Sequence, residues 1–195
     1  MLGKRWPSVG VVVPNHSRTD ELREAIASVK AQEYEGKVCV YVVYRERPGI
    51  GDLLFAFGDV VALPSTGEAG RNSISVKRNI GLAATTEDFV AFLDDDDIWH
   101  PHKLTAQVQA FQRGGDVVAV STRPTYFTEC LNWGTRSGDD GFRDHTRHHV
   151  LSGRSIGTSS LLVAGATARR LRFDERPEWL ALEDYDFKIR LSHIG

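Results

Sequence analysis

Four consecutive aspartates, Asp94 to Asp97, follow an apolar run in FVAFLDDDDIW, spanning Phe89 to Trp99. Four carboxylates this close repel one another, and protonation, solvent or a bound cation relieves the repulsion. Side chains alternate along a strand, so Asp94 and Asp96 start on one face and a turn could bring both to one ion. Hard oxygen ligands select Mg²⁺, Mn²⁺ or Ca²⁺ over Zn²⁺. A solvated acidic loop capping the next helix is the plain alternative. The strand before the run favours a ligand site, because open α/β sheets bind ligands beyond the carboxyl ends of their strands. A second acidic pair, Glu183-Asp184, opens a helix near the end of the chain, where the macrodipole alone already favours carboxylates. Arg71, Ser75 and Arg78 fall at i, i+4 and i+7 on one helical face, by default a solvated basic stripe. His145, His148 and His149 suit a hard ion less well than the carboxylates upstream.

The elements that must position these groups alternate between strand and helix. Val9 to Val13 is a β-branched run closed by Pro14, which cannot donate to a ladder and marks the strand's end. A loop, Pro14 to Arg18, leads into a helix over Asp20 to Gln32 with Leu22, Ile26 and Val29 at helical spacing and Ser17 or Thr19 as its cap. Val38 to Tyr44 is near-continuously apolar, as a parallel strand covered on both faces requires. Arg45 to Asp59 is rich in Gly and charge, and Val60 to Leu63 is a brief strand. Thr66 to Asn72 reads as a loop and Ser73 to Ala84 as a helix with Val76, Ile80 and Ala83 inward. After the aspartates, Pro101 suits a first helical position, Leu104, Val108 and Phe111 mark the apolar stripe, and Gly114-Gly115 ends it. Asp116 to Ser121 and Ile156 to Val163 read as strands, Ala164 to Leu171 as a short helix, and Leu182, Tyr185 and Ile189 share one side of the last helix. Arg123 to Arg154 is irregular, and so long a stretch in a compact domain is functional or mobile.

Length and composition bound the rest. The chain's 195 residues suit a single domain with a sizeable core. With 24 Lys and Arg against 26 Asp and Glu, the net charge of -2 is no footprint of a general nucleic-acid binder. Cys39 and Cys130 lack metal or redox spacing, which points to a reducing compartment. The apolar run near the start is cut by Pro14, too short for a signal core or a membrane span. A cytoplasmic protein is expected, free or in peripheral contact with a membrane.

In order and spacing, VGVVVPNHSR, VKRNIGLAAT, FVAFLDDDDIW, IGTSSLLV and LEDYDFKIRL together resemble the family-2 glycosyltransferases of the GT-A fold. The resemblance covers most of the chain. It implies an α/β, Rossmann-like fold with a mostly parallel central sheet and helices on both faces. It also implies a nucleotide-diphosphate sugar donor, a divalent cation (Mn²⁺ or Mg²⁺) held by a DxD motif, and transfer to an acceptor hydroxyl with inversion. Residue by residue, it puts Pro14, Asn15 and Arg18 at the nucleoside, Arg78 and Asn79 near the donor phosphates, and Asp94 and Asp96 on the metal. Asp95 falls near the ribose and donor sugar, and Asp184 of Glu183-Asp184 is the general base. About residues 1–122 would bind the donor, and 123–195 would supply the acceptor site and the base. Where the family has an acidic pair after its second strand, this chain has Tyr44-Arg45-Glu46; Tyr44 could stack on the base and Glu46 accept from an imino N–H. A UDP-sugar is the leading donor, with GDP and dTDP as alternatives. The last helix stops at Gly195 where relatives continue, so the chain reads as a minimal enzyme or a cut one.

The chemistry is coherent with those roles. A carboxylate-held cation stabilises a leaving diphosphate, and a positioned carboxylate takes the proton of the attacking hydroxyl. With one base and no protein nucleophile, a single displacement inverts the anomeric centre. A sugar nucleotidyltransferase would need a Gly-rich, basic phosphate loop where Pro14-Asn15-His16 stands. A non-catalytic nucleotide-sugar-binding domain is the other rival, and the retained Glu183-Asp184 argues against it. A Ca²⁺-binding module would need the glycine and spaced ligands that DDDD lacks. Trp133, Tyr126 and Phe142 could stack on an acceptor sugar, although ordinary packing is the plainer role.

Overall fold

The structure, a computed structural model, describes residues 5–66, 74–113, 115–122 and 156–194. Arg71 and most of its loop, Cys130, the aromatics Tyr126, Trp133 and Phe142, and the histidines His145, His148 and His149 lie outside the described residues. The described elements are β1 (Val9–Pro14), α1 (Asp20–Lys30), β2 (Val38–Tyr44), α2 (Ile50–Phe57), β3 (Val60–Pro64), α3 (Ile74–Ala84) and β4 (Phe89–Phe92). They continue with α4 (Lys103–Phe111), β5 (Ala119–Ser121), a 3₁₀ turn (Thr158–Ser160), β6 (Leu161–Ala164), α5 (Gly165–Leu171), a second 3₁₀ turn (Pro177–Trp179) and α6 (Glu183–Leu191).

Six strands form one sheet in the order β3-β2-β1-β4-β6-β5. β1 runs parallel to β2 and to β4, and β2 parallel to β3, while β6 is antiparallel to both β4 and β5. Alternation along each strand sends its residues to two cores. Val11, Val13, Ala91, Leu93 and Leu162 pack with Leu22 and Ile26 of α1, Leu53 of α2 and Leu104 of α4. Val12, Val90, Phe92, Leu161 and Val163 pack with Leu82 of α3, Ala168 of α5 and Phe187 of α6. Helices therefore cover both faces, and the carboxyl ends of β1, β2 and β4 open at one edge.

Several expectations about the elements are corrected. The segment read only as rich in Gly and charge holds α2, whose Ile50, Leu53 and Leu54 are buried; its eight residues are bracketed by Gly49 and Gly58, both at positive φ, and those flanking loop signals mask a short apolar helix. The expected inward face of α3 is rotated: Ser75, Lys77, Arg78, Asn79, Gly81 and Leu82 are buried, and Ala83 is exposed. Gly81 causes this, because a Cβ there would lie 2.4 Å from Val12 Cγ1, so the helix backbone presses directly on β1. In α6 the buried positions are Glu183, Phe187 and Leu191, with Leu182 exposed. There the Phe187 ring stacks on Phe173 at 4.2 Å and meets the edge of Phe92, and this aromatic contact outranks the Leu182, Tyr185 and Ile189 stripe. The strands near the end are also shorter than expected, with Thr158–Ser160 forming a 3₁₀ turn ahead of β6.

Gly81→Ala should destabilise the protein by about 1–2 kcal/mol, since overpacking at Val12 exceeds the helix-propensity gain of alanine. A lower urea midpoint at unchanged slope is the expected result.

Candidate functional site

At the end of β1 the chain turns outward at Asn15, whose N–H still donates to Val43 O of β2 at 2.8 Å. The buried Asn15 side chain donates through Nδ2 to Arg18 O at 2.9 Å and to Asp95 Oδ2 at 2.7 Å, and the His16 N–H donates to the same oxygen at 2.8 Å. Lys77 of α3 reaches across to donate to Asn15 O at 2.8 Å. Burial pushes the Lys77 ammonium below its ordinary range, and the Asp95 carboxylate partly restores it. Asp95 is thus the buried tie between the first loop and the aspartate run. Pro14 lies in β1 and is buried.

The four aspartates meet four different surroundings. Asp94 Oδ1 accepts from Arg78 Nη2 at 2.7 Å, and the Asp94 N–H donates to Ser159 Oγ at 2.9 Å. Asp96 pairs with Arg18, both side chains being about half exposed. The Asp97 carboxyl is pushed up, first by burial and then by the charges of Asp94 and Asp96, with the Ser159 hydroxyl opposing. Asp94 and Asp96 each keep a second oxygen outside these ion pairs.

Arg78 binds two walls together. Its guanidinium, 2% exposed, lies 3.5 Å through Nη1 from Glu183 Oε1 of α6, and 5.1 Å above the Phe173 ring. Asn79, its neighbour, is spent on a backbone clamp: Nδ2 donates to Phe173 O at 2.8 Å and to Glu175 Oε1 at 2.7 Å, while Oδ1 accepts from Phe173 N at 2.8 Å. Asp184 stands next to Glu183, 34% exposed, and its Oδ2 accepts from Lys188 Nζ at 2.8 Å. Lys188 also donates to Ile156 O at 2.7 Å, which fixes this first turn of α6 against the segment before β6. Ala181, two residues before Glu183, has φ of +65°, a left-handed conformation costing a non-glycine residue about 1–2 kcal/mol. Tyr44 ends β2, half-buried against the core of that face. Glu46 lies beyond it in a shallow depression lined by Arg47 and Asp52.

Several supporting residues were not singled out from the sequence. Trp99 Nε1 donates to Ser159 O at 2.9 Å, and Gln107 Nε2 donates to Val120 O at 3.0 Å and Ser160 O at 2.8 Å. Lys103 Nζ sits 3.9 Å from the centre of the Trp99 ring and donates to Gln107 Oε1 at 2.7 Å. Their signal was a polar i, i+4 pair, Lys103 and Gln107, set inside the apolar stripe of Leu104 and Val108. Ser159 carried no comparable signal, since only the fold brings it to the aspartates.

Residues 10–167 match the family model described as glycosyl transferase family 2. The chain belongs to that family. Among relatives of this family-2 chain, the glucosyl-dolichyl phosphate glucuronosyltransferase of Haloferax volcanii is 31% identical over 150 residues, covering 70% of this chain and 47% of the relative. The succinoglycan biosynthesis protein ExoW of Rhizobium meliloti is 32% identical over 146 residues, 69% of this chain and 40% of the relative. The chain thus spans less than half the length of either. Among solved structures, Staphylococcus aureus TarS 1-349 in complex with UDP superposes with a TM-score of 0.71 at 17% identity, over 95% of this chain and 55% of TarS. The mannosyltransferase PcManGT of Pyrobaculum calidifontis, solved with GDP-Man and Mn²⁺, gives a TM-score of 0.65 at 16% identity, over 99% of this chain and 54% of its own. Both likenesses establish the shared GT-A fold.

Burial also brings the Lys103 ammonium down from 10.5 to about 7, outweighing the ring and amide that favour the charged form. Between about 7 and 10.5 the unfolded chain keeps the proton that the folded chain releases, so stability rises with pH across that window and the penalty is greatest below it. The denaturant midpoint should climb from about pH 7 to 9, and Lys103→Met should flatten the climb. A slope unchanged by the substitution assigns the titration elsewhere.

Proposed function

We propose that this chain is the catalytic core of a metal-dependent, inverting glycosyltransferase that moves a sugar from a nucleotide-diphosphate donor to an acceptor hydroxyl. The carrying observation is the convergence at one sheet edge of Asp94 with the first turn of α6, through Arg78, beside Asp96 two residues on. Family membership supports the activity, and the UDP and GDP-Man complexes of the structural neighbours support a nucleotide-sugar donor. A UDP-sugar is the first donor to test, with GDP and dTDP next. The name of the Haloferax relative makes a lipid-linked acceptor the first acceptor class to test. No helix among the described residues is long and apolar enough to cross a membrane.

The donor set fits a hard divalent cation. Asp94 and Asp96 are partly exposed carboxylates, whereas Asp95 is buried and committed to Asn15 and His16. Among the described residues no three His, Cys, Asp or Glu side chains are grouped to hold a metal by themselves. Mg²⁺ and Mn²⁺ sites built from one or two carboxylates take their remaining ligands from substrate phosphates and water. Bound there, the cation supplies Lewis-acid stabilisation of the departing diphosphate.

The chain's own residues do the rest. Pro14, Asn15, Arg18 and Tyr44 border the nucleoside side, where Asn15 and Asp95 hold the first loop in place. Arg78 orients Asp94, and Asn79 fixes the Phe173 backbone beneath it. Asp184, held in place by Lys188, accepts the proton of the acceptor hydroxyl as that oxygen attacks the anomeric carbon and the bond to the diphosphate breaks. One displacement inverts the centre.

Thermal unfolding with UDP, GDP, dTDP and CDP, each with and without Mn²⁺, tests the donor site, because a ligand bound only by the native state raises its stability. A metal-dependent shift for one nucleotide is expected; no shift with any pair would overturn the reading. Asp96→Ala should lose that shift. Asp184→Asn should keep it while lowering transfer by about 10²- to 10⁴-fold, and near-normal turnover would remove Asp184 as the base.

A further inference from the structure

Arg78 stands between two carboxylates that come from opposite walls of the site. Asp94, at the end of β4, holds Nη2 at 2.7 Å, and Glu183, in the first turn of α6, lies 3.5 Å from Nη1. The guanidinium is buried and so is Glu183, whose side chain is 10% exposed. A buried cation draws strongly on whatever anions it can reach. Any divalent cation at Asp94 therefore competes with Arg78 for the same carboxylate.

The contact to Glu183 is of a different kind from the contact to Asp94. Arg78 Nε and Nη1 and Glu183 Oε2 are buried with no hydrogen-bond partner. The pair is held by charge rather than by a formed hydrogen bond, and it retains unused donors and an unused acceptor. Glu183 is thus a reserve anion for Arg78.

We propose that Glu183 is a positioning residue that acts through Arg78, taking up the guanidinium's charge so that Asp94 is available to a divalent cation. This rests on reading Asp94 and Asp96 as the cation site. It gives the two neighbouring carboxylates of α6 separate tasks: Asp184 faces the acceptor, and Glu183 serves the donor side. It also links the two halves of the reaction, because whatever moves the first turn of α6 changes the hold of Arg78 on Asp94.

The test is a titration with Mn²⁺, followed by the electron paramagnetic resonance of the free ion, in the presence of saturating UDP or GDP. Glu183→Gln keeps the shape and removes the charge, and it should weaken Mn²⁺ binding by about tenfold, the effect of one partly screened charge at this range. Arg78→Met supplies the decisive background. If Glu183 acts through Arg78, adding Glu183→Gln there should change Mn²⁺ affinity by less than about twofold, a non-additivity that a double-mutant cycle reads directly. A cooperative thermal transition in each variant confirms that folded protein was titrated. Tenfold weakening that persists without Arg78 would overturn the relay in favour of a direct field from Glu183. Wild-type binding with an unchanged Glu183→Gln affinity would overturn this role alone. A wild type that binds no Mn²⁺ overturns both this role and the cation site it serves.

Discussion

A guanidinium removed from water must be answered by anions held close to it, and the arrangement around Arg78 follows from that requirement. Removing one partner of such a buried pair costs about 3–5 kcal/mol, because the other charge is left uncompensated. Arg78 is 2% exposed, so the elements that meet it have little freedom to drift. β4 must deliver Asp94, α6 must begin beside it with Glu183, and Phe173 must lie flat below. The stack of Phe173 on Phe187, edge-on to Phe92, is the apolar floor that sets the height of all three.

A second layer of contacts separates the four aspartates into different tasks. Asp95 is drawn inward by Asn15 and the His16 N–H, so the second residue of the run ties the first loop to the sheet. Asp97 is kept near Ser159, and the Ser159–Ser160 backbone is held in turn by Trp99 and Gln107. Asp94, partly exposed, is paired with Arg78, and Asp96, about half exposed, is paired with Arg18. Repulsion within the run is therefore relieved unevenly, each carboxylate by different partners. Lys103 extends the same network into α4, where a buried amine lies under Trp99 and against Gln107.

The floor and the rim also divide the labour between stability and chemistry. Gly81 lets α3 sit directly on Val12, which turns the Lys77, Arg78 and Asn79 face into the sheet edge. Lys77 then secures the first loop, Asn79 secures the segment after α5, and Arg78 secures the aspartates. Three consecutive polar residues thus reach three separate segments from a single turn of helix. The strain at Ala181 stands where the chain must reverse to present Glu183 inward and Asp184 to the open side.

What the sequence determined by itself were the features carried by local period and local chemistry. Near-continuous β-branched runs in β1 and β2, an apolar strand breaking into aspartates, and Leu22, Ile26, Leu104 and Val108 at helical spacing specify a mostly parallel α/β sheet with its acidic run at a strand's carboxyl end. Tertiary structure decided which way each helix faces and which charges meet. The α3 stripe of Val76, Ile80 and Ala83 satisfies helical period as well as the observed face does, and close approach at Gly81 chose between them. In α6, Phe187 outranked Leu182 because only the folded chain brings Phe173 and Phe92 to it. The partnerships of Arg78 with Glu183, and of Ser159 with Asp94, join residues 105 and 65 positions apart. No local pattern encodes such pairs, because their energy arises only when burial removes water from both sides at once.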